Sequence, residues 1–464
     1  GVNLTAAAVL CSEERIEQLA ERLARLGVNL VRMHHLDSWA NPIIDYNHPD
    51  GTTQHLNPDS MRLLGKMVAE LKKRGIYSVL DCWVQRCFKP ADGVEDYGAL
   101  GKRGNFNLHP YIYFSPRMQE LIRKQWNQVW NYENEFTGLA FKDDPACALT
   151  EVINEGLLTG LGSVKQPYYR DLLKAEYEKW AAENDGVPWD KAGVIEQNYG
   201  RNNIAFMMHL HRQFYDRSHA YMREIGLRIP INYNNWAHWT WVLAAQGGAD
   251  FMDHHHYYVG DQIGPGSGLG GLWVEHPPSL DSTPFGKMAS FALPGKPVMS
   301  SEWGNNPPKT YRAAYPIGLA AVAAFQSWDS FTGYAFSQDG RPRGRLEPFE
   351  WESDPLSVTG IALGALIYRR GDVSPAKESV VLTIPEEEIY ELRWGDNTNR
   401  QVWNLVGLNA ALEQHRVQVV PPGFKADAEN VVQTMNCVES AEYNHPGTEL
   451  RSDTGELWRD WETG

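Results

Sequence analysis

Two acidic side chains close apolar runs in this chain: Glu155 ends "CALTEVINE" (147–155) and Glu302 sits in "KPVMSSEWG" (296–304). Asn154-Glu155 after a strand either caps the following helix or delivers a carboxylate to a pocket. Taken singly, each acid reads as a cap or a loop residue. Taken together across one pocket, they have a specific use. Cleaving a glycosidic bond with retention needs one acid to protonate the leaving oxygen and one carboxylate to attack the anomeric carbon, about 5–5.5 Å apart. The acid must hold its proton near neutrality, so its surroundings must raise its pKa. A nearby cation such as Arg32 favours the charged form of the attacking group.

Elements far apart in sequence must bring these residues together. A strand-then-helix rhythm runs through the first 370 residues. Its strands are "GVNL", "VNLVRMHHL" (28–36), "IYSVLDCW" (76–83), "CALTEVINE", "LRIPINYNN" (227–235), "ADFMDHHHYY" (249–258), "KPVMSSEWG" and "SWDSFTGYAFS" (327–337). Helical stretches follow each one. In "SEERIEQLAERLARLG" (12–27), Ser12 can cap the free N–H groups and Glu13 and Glu14 suit the helix dipole. Arg15 occupies the place where a capping-box Glu or Gln would stand. "SPRMQELIRKQWNQVW" (115–130) opens with a cap and a first-turn proline.

Several strands are near-continuous apolar runs, as expected for parallel strands covered on both faces. Eight such units predict an α/β fold, a (β/α)8 TIM barrel whose site lies where strands end. A doubly wound sheet would carry a Gly-rich phosphate loop, and "GPGSGLGG" (264–271) is too loose for one. The strand ends carry Arg32, His34, His35 and Asp37; Asp81 and Trp83; Asn154 and Glu155; Asn232, Asn234, Asn235 and Trp236. The later strands add the 254–258 "HHHYY" run, Glu302 with Trp303, and Trp328. A capping account would have to be invented separately for each.

The pieces "GVN", "VRM", "VLDCW", "INE", "HYY", "PVMSSEWG" and Trp328 together resemble clan A of the glycoside hydrolases, most closely the family 5, cellulase- and mannanase-like, enzymes. The likeness spans roughly residues 1–370. It implies Glu155 as general acid/base and Glu302 as nucleophile. It also implies Asn154 on the sugar 2-hydroxyl, Arg32 holding Glu302, Tyr258 donating to the nucleophile with His256 nearby, and Trp328 as the sugar platform. Trp83 stands where many members have histidine, which bears on the sugar accepted. His35, Asn234 and Trp303 complete the expected substrate-binding set. Strict alternation would place Glu151, Ile153 and Glu155 on one face and turn Asn154 away, so a strand-end bulge is expected. Glu151 reads as a buried structural carboxylate.

Two rival readings stand beside this one. The "HHL" and "DHHHYY" runs suit a metal-dependent barrel hydrolase, although consecutive residues on a strand cannot all face one ion. A barrel kept only for carbohydrate binding is the other. No metal and no cofactor is expected.

The 464 residues are 42% hydrophobic and 22% charged, which suits a large barrel with something added. The net charge of −15 speaks against a nucleic-acid partner. No apolar run is long enough to span a membrane. Cysteines at 11, 82, 87, 147 and 437 form neither a disulfide framework nor a zinc pattern. The expected partner is a β-linked oligo- or polysaccharide.

The barrel is expected over 1–371, with an insertion at 156–199 after strand four. Residues 372–464 read as a small β-rich C-terminal segment, possibly a truncated domain. Long loops at 37–57, 84–114, 156–199 and 259–282 would wall the mouth. "GVNL" at the start reads as the end of a strand, so a native N-terminus is expected to be missing and a secreted or periplasmic location is favoured.

Overall fold

The computed structural model describes residues 1–40, 42–100, 108–156, 158, 161–164, 166–196, 200–236, 239–257, 261–263, 272–274, 285–305, 307, 312–390, 408–436 and 449–460. Eight parallel strands form its centre: β1 (Val2–Thr5), β2 (Leu30–His34), β3 (Tyr77–Leu80), β4 (Cys147–Ile153), β5 (Ile231–Asn234), β6 (Met252–Asp253), β7 (Val298–Gly304) and β8 (Ser330–Ser337). They pair in the order β5-β4-β3-β2-β1-β8-β7-β6. The circle closes between β6 and β5, where Asp250 N donates to Ile231 O at 3.0 Å and His255 N to Asn235 O at 3.1 Å. Asn232 Nδ2 adds a bond to Phe251 O at 2.8 Å. This is a (β/α)8 barrel.

Helices return the chain between strands: α1 (Glu13–Arg25), α2 (Pro58–Lys72), α3 (Pro116–Trp130), α4 (Arg201–Glu224), α5 (Thr240–Ala245), α6 (Phe285–Ala289), α7 (Ala314–Phe325) and α8 (Pro355–Arg370). Their starts follow local chemistry. Ser12 accepts from Arg15 N, and Asn57, Ser115 and Asp354 each cap a helix whose first residue is proline. Gly371 ends α8 with φ of 70°, a conformation that an added Cβ would disfavour.

The barrel interior is layered by the two-residue period of its strands. Leu30, Val79, Leu149, Phe251 and Met299 form an apolar plug of their own. Two residues further along the same strands stand Arg32, Asp81, Glu151, Asp253 and Ser301, a buried polar layer. The next step brings His34 and His255 to the mouth. The outer core, between strands and helices, holds the large aromatics Trp126, Trp130, Trp241 and Trp351.

Between β4 and α4, the helix Pro167–Glu183 buries Tyr169, Leu173, Tyr177 and Trp180. Tyr177 meets Phe206 of α4 edge-on at 5.0 Å, and Tyr169 meets Tyr111 at 4.7 Å. The insertion thus leans on α4 and on the loop after β3. The Gly-rich run 264–271 lies outside the described residues.

After α8, β9 (Ser379–Thr383) pairs in parallel with both β10 (Arg416–Val420) and β11 (Val431–Asn436). Parallel strands need crossovers, and the helices Glu386–Tyr390 and Leu408–Gln414 lie between β9 and β10. This sheet docks on the barrel: Val419 N donates to Ala292 O at 3.0 Å and Val417 N to Gln326 Oε1 at 2.8 Å. Cys82 and Cys147 are buried free thiols, whereas Cys11 and Cys87 are partly exposed. Among the described residues no helix is long and apolar enough to cross a membrane.

Candidate active site

Glu155 and Glu302 come together at the mouth. One oxygen of each carboxylate and a ring nitrogen of His255 all lie within 4.8 Å of one another. His255 bridges the pair: its Nδ1 is 2.8 Å from Glu155 Oε1 and its Nε2 is 3.5 Å from Glu302 Oε1. Ser301 Oγ is 3.0 Å from the same Nε2.

Two local departures from strand geometry aim these side chains. The bulge expected at the end of β4 is not found: its one register shift lies near its start, against β3 between Ser78 and Val79. β4 pairs regularly with β5 through Ile153, and alternation is broken beyond its end, where Glu155 adopts φ of 48°. That left-handed turn brings both Asn154 and Glu155 to the pocket. Near the second acid a bulge does fall on β7, where register with β8 shifts between Ser300 and Trp303, so Ser301 and Glu302 both face inward. His35, with φ of 61°, similarly joins His34 at the pocket.

Arg32 organises the floor. Fully buried, it donates to Asn3 Oδ1 (3.2 Å), Glu302 Oε1 (2.8 Å), Asp81 Oδ2 (2.8 Å), Glu151 Oε1 (2.6 Å) and Asn154 Oδ1 (2.7 Å). Burial alone would lower its pKa, but Glu151, Asp81 and Glu302 outweigh that and raise it. Asp81, buried beside Glu151, is pushed up and also contacts His34 Nδ1. Tyr257 donates its hydroxyl to Glu302 Oε2. Glu302 is therefore held on one oxygen by Arg32 and on the other by Tyr257.

Burial raises Glu155 from an ordinary 4.5 to about 7, with Arg32 opposing and Glu151 assisting. Burial also lowers His255 to about 4 and His35 to about 3, so the imidazoles at the mouth are neutral. The pocket above has a volume of about 220 Å³. Of the sequence-derived set, Glu155, Glu302, Asn154 and His35 line it. His34, Gln85, Tyr257, Tyr334, Gln338 and Phe349 line it as well.

The other expected residues lie elsewhere. Trp303 follows Glu302 on the strand and points outward, stacked on Tyr315 of α7 at 5.4 Å and 5.1 Å from Trp351. Trp328 precedes β8, so it belongs to the opposite end of that strand and is buried. The aromatic at the mouth end is Tyr334, edge-on to His34 at 5.6 Å and 5.8 Å from Phe349. Trp83 is buried beside Phe88 and contributes its carbonyl to Asn154 N at 3.0 Å.

His256 is buried and alternates away from the pocket between His255 and Tyr257. Tyr258 lies outside the described residues; the hydroxyl on Glu302 is that of Tyr257. Asn234 is fully buried and bonds Gly156, accepting from its N at 3.0 Å and donating to its O at 2.6 Å. Three histidines and two tyrosines in a row left the register open. The bond from His255 N to Asn235 O settles it.

Among the described residues, three groups of side chains bring possible metal donors within 4.8 Å: Glu155, His255 and Glu302; His48, Asp50 and His55; Glu378, His415 and Asp453. In the first, Arg32 already sits on Glu302 and both His255 nitrogens have partners. A second cation there would face that guanidinium. In the second, the imidazoles stack at 3.6 Å and 15°, so their in-plane lone pairs run parallel rather than converge. The third ties residues just before β9 and β10 to the turn of a separate hairpin, Glu449–Arg451 with Trp458–Asp460, through longer contacts of 3.4 Å.

No family model matches the sequence, and no curated protein matches it. Solved structures are similar in fold. A β-galactosidase from Rahnella sp. R3 superimposes with a TM-score of 0.61 at 14% identity, over 94% of this chain and 66% of that one. A GH5_18 protein from Streptomyces cattleya, in complex with GlcNAc, gives 0.58 at 13% identity over 94% and 97%. A glycoside hydrolase family 5 mannosidase from Rhizomucor miehei, in complex with mannosyl-fructose, gives 0.51 at 11% identity over 80% and 92%. What these chains share is the (β/α)8 barrel. At such identities the likeness is one of fold.

Proposed function

We propose that the protein is a retaining glycoside hydrolase acting on β-linked oligo- or polysaccharides by double displacement. One observation carries this reading: two carboxylates from β4 and β7 approach within 4.8 Å at the mouth, one with a pKa raised to about 7, the other clasped by Arg32 and Tyr257. That spacing fits direct attack on the anomeric carbon and falls short of the ~6.5–9.5 Å that separates an inverting pair. The neighbours in fold, whose names are those of glycosidases, support it.

Glu302 attacks the anomeric carbon while Glu155 gives its proton to the departing oxygen. A covalent glycosyl-enzyme forms. Glu155, now a base, takes a proton from water, which displaces Glu302 and regenerates the acid. His255 accepts or returns a hydrogen bond as Glu155 changes charge. Asn154 Oδ1 is occupied by Arg32 and Asn235, so its Nδ2 faces the pocket and serves a sugar hydroxyl. Tyr334 and Phe349 offer apolar faces to the ring's C–H groups.

Apart from the two acids and the neutral histidines, the lining is Gln85, Asn154, Gln338 and aromatics, which suits an uncharged sugar. The pocket is small beside the ~300–1,000 Å³ of drug-sized ligand sites, so it holds one or two rings. In this reading residues 1–371 form the catalytic unit and 372–464 an appended one.

A panel of aryl β-glucosides, β-mannosides and β-galactosides tests it, with products followed by NMR. The expected first product is the β-anomer, and Glu302→Ala removes at least about 10³-fold of the rate. An α-anomer appearing first would overturn the mechanism. Activity that survives Glu302→Ala but falls to a chelator would point to metal chemistry. Sugar binding without turnover of any glycoside would leave a binding protein.

A further inference from the structure

The acid/base turn is backbone under constraint. Glu155 holds φ of 48°, a region that side-chain-bearing residues seldom adopt. Something must over-determine that conformation, and β5 supplies it. We propose that Asn235 is the positioning residue for Glu155, with Asn234 as its companion; this rests on the reading of Glu155 as the acid/base.

The argument is one of donors and acceptors. Asn235 Oδ1 accepts from Glu155 N at 2.7 Å. Its Nδ2 donates to Glu151 Oε2 at 2.6 Å and to Asn154 Oδ1 at 2.9 Å. Amide orientation is ordinarily ambiguous, but here it is forced. Glu151, held by Arg32 at 2.6 Å, presents only acceptors to Nδ2. Asn154 Oδ1 is itself fixed as an acceptor by Arg32 Nη2 at 2.7 Å.

The oxygen of Asn235 must therefore face Glu155 N. Asn234 closes the same turn from one residue back, bonding both N and O of Gly156. Both asparagines are completely buried. A chain of bonds thus runs from Arg32 through Glu151 and Asn235 to the backbone that aims the acid. The same amide turns the donor of Asn154 toward the pocket.

Releasing this clamp would misplace the proton donor without touching Glu302. A misplacement of about 1 Å can cost on the order of 10²-fold in rate. The cost depends on the leaving group. A 2,4-dinitrophenolate departs without a proton, whereas a phenolate needs one. Asn235→Ala is therefore expected to lower kcat/KM for phenyl β-glycosides by roughly 10–100-fold, and for 2,4-dinitrophenyl β-glycosides by less than about threefold. A merely structural lesion would lower both alike.

Asn235→Asp keeps the shape and serves if the alanine variant does not fold. Its carboxyl must stay protonated against Glu151 and Asn154. Its activity on the phenyl substrate, relative to the unmodified protein, is therefore expected to rise as pH falls. Equal loss on both leaving groups, no loss on either, or an Asn235→Asp pH profile matching that of the unmodified protein would overturn the inference. Glu155→Ala runs in parallel. If it too shows no leaving-group dependence, the acid/base assignment itself fails, and the positioning role falls with it.

Discussion

Replacing Glu155 by glutamine is expected to stabilise the protein at alkaline pH while removing the proton donor proposed above. Glutamine keeps the size and hydrogen-bonding reach of the side chain but never ionises. Glu155 titrates near 4.5 when exposed and at about 7 in the fold, chiefly because burial disfavours its charge. Between those values the folded state holds a proton that the unfolded state has released. Stability of the unmodified protein therefore falls as pH rises through this window and levels off above it. At 1.36 kcal/mol per pH unit the raised value corresponds to about 3 kcal/mol. The side chain is 22% exposed, and solvent trims the figure to about 2–3 kcal/mol.

Glu155→Gln has no such slope, so its stability advantage should be about 2–3 kcal/mol larger at pH 8 than at pH 4.5. For 464 residues the unfolding entropy is about 1 kcal/mol/K, so the Tm difference between the two proteins should grow by about 2–3 °C. Scanning calorimetry of both at the two pH values measures it. A gap that stays constant within about 1 °C, or shrinks toward alkaline pH, would refute the placement of Glu155 as a partly exposed acid with a raised pKa.

The same titration should appear in catalysis: hydrolysis falls as pH rises through about 7, when Glu155 loses its proton. A pH–rate profile without that limb would contradict the assignment. Arg32→Met leaves Asp81, Glu151 and Glu302 without their buried cation and should cost about 3–5 kcal/mol, read as a Tm loss of several degrees. A loss under about 1 °C would show that the cluster carries little charge. Trp303→Ala should cost about 3–5 kcal/mol by cavity formation, with KM within about twofold of the original, because its ring packs on Tyr315 and Trp351. Tyr334→Ala should reverse that pattern, raising KM several-fold with the smaller Tm change.

Period and caps made much of the architecture readable. The apolar runs alternate with capped, proline-started helices, and Ser12 and Ser115 cap where their sequence context says they should. What alternation could not supply was direction at the strand ends. In "HHHYY", parity alone allows His254 and His256 as readily as His255 and Tyr257. One inter-strand bond separates the two sets. Trp328 was misplaced because "SWDSFTGYAFS" contains an entire strand, and its mouth end lies at Tyr334 and beyond.

Gln85, Gln338 and Phe349 left no signal, since each comes from a loop or a strand end with no pattern around it. Asn235 stood among the strand-end residues, but its role depends on a carboxylate 84 positions away.

Local order along the chain was enough for the eight strand–helix units and for the presence of one acid at the end of β4 and another on β7. Hydrophobic period and helix capping are local, so they survive in one dimension. The gap between the acids, the left-handed turn at Glu155, the β7 bulge and the raised pKa exist only once the barrel closes. Each depends on burial or on partners from distant strands, and neither is a property of neighbouring residues.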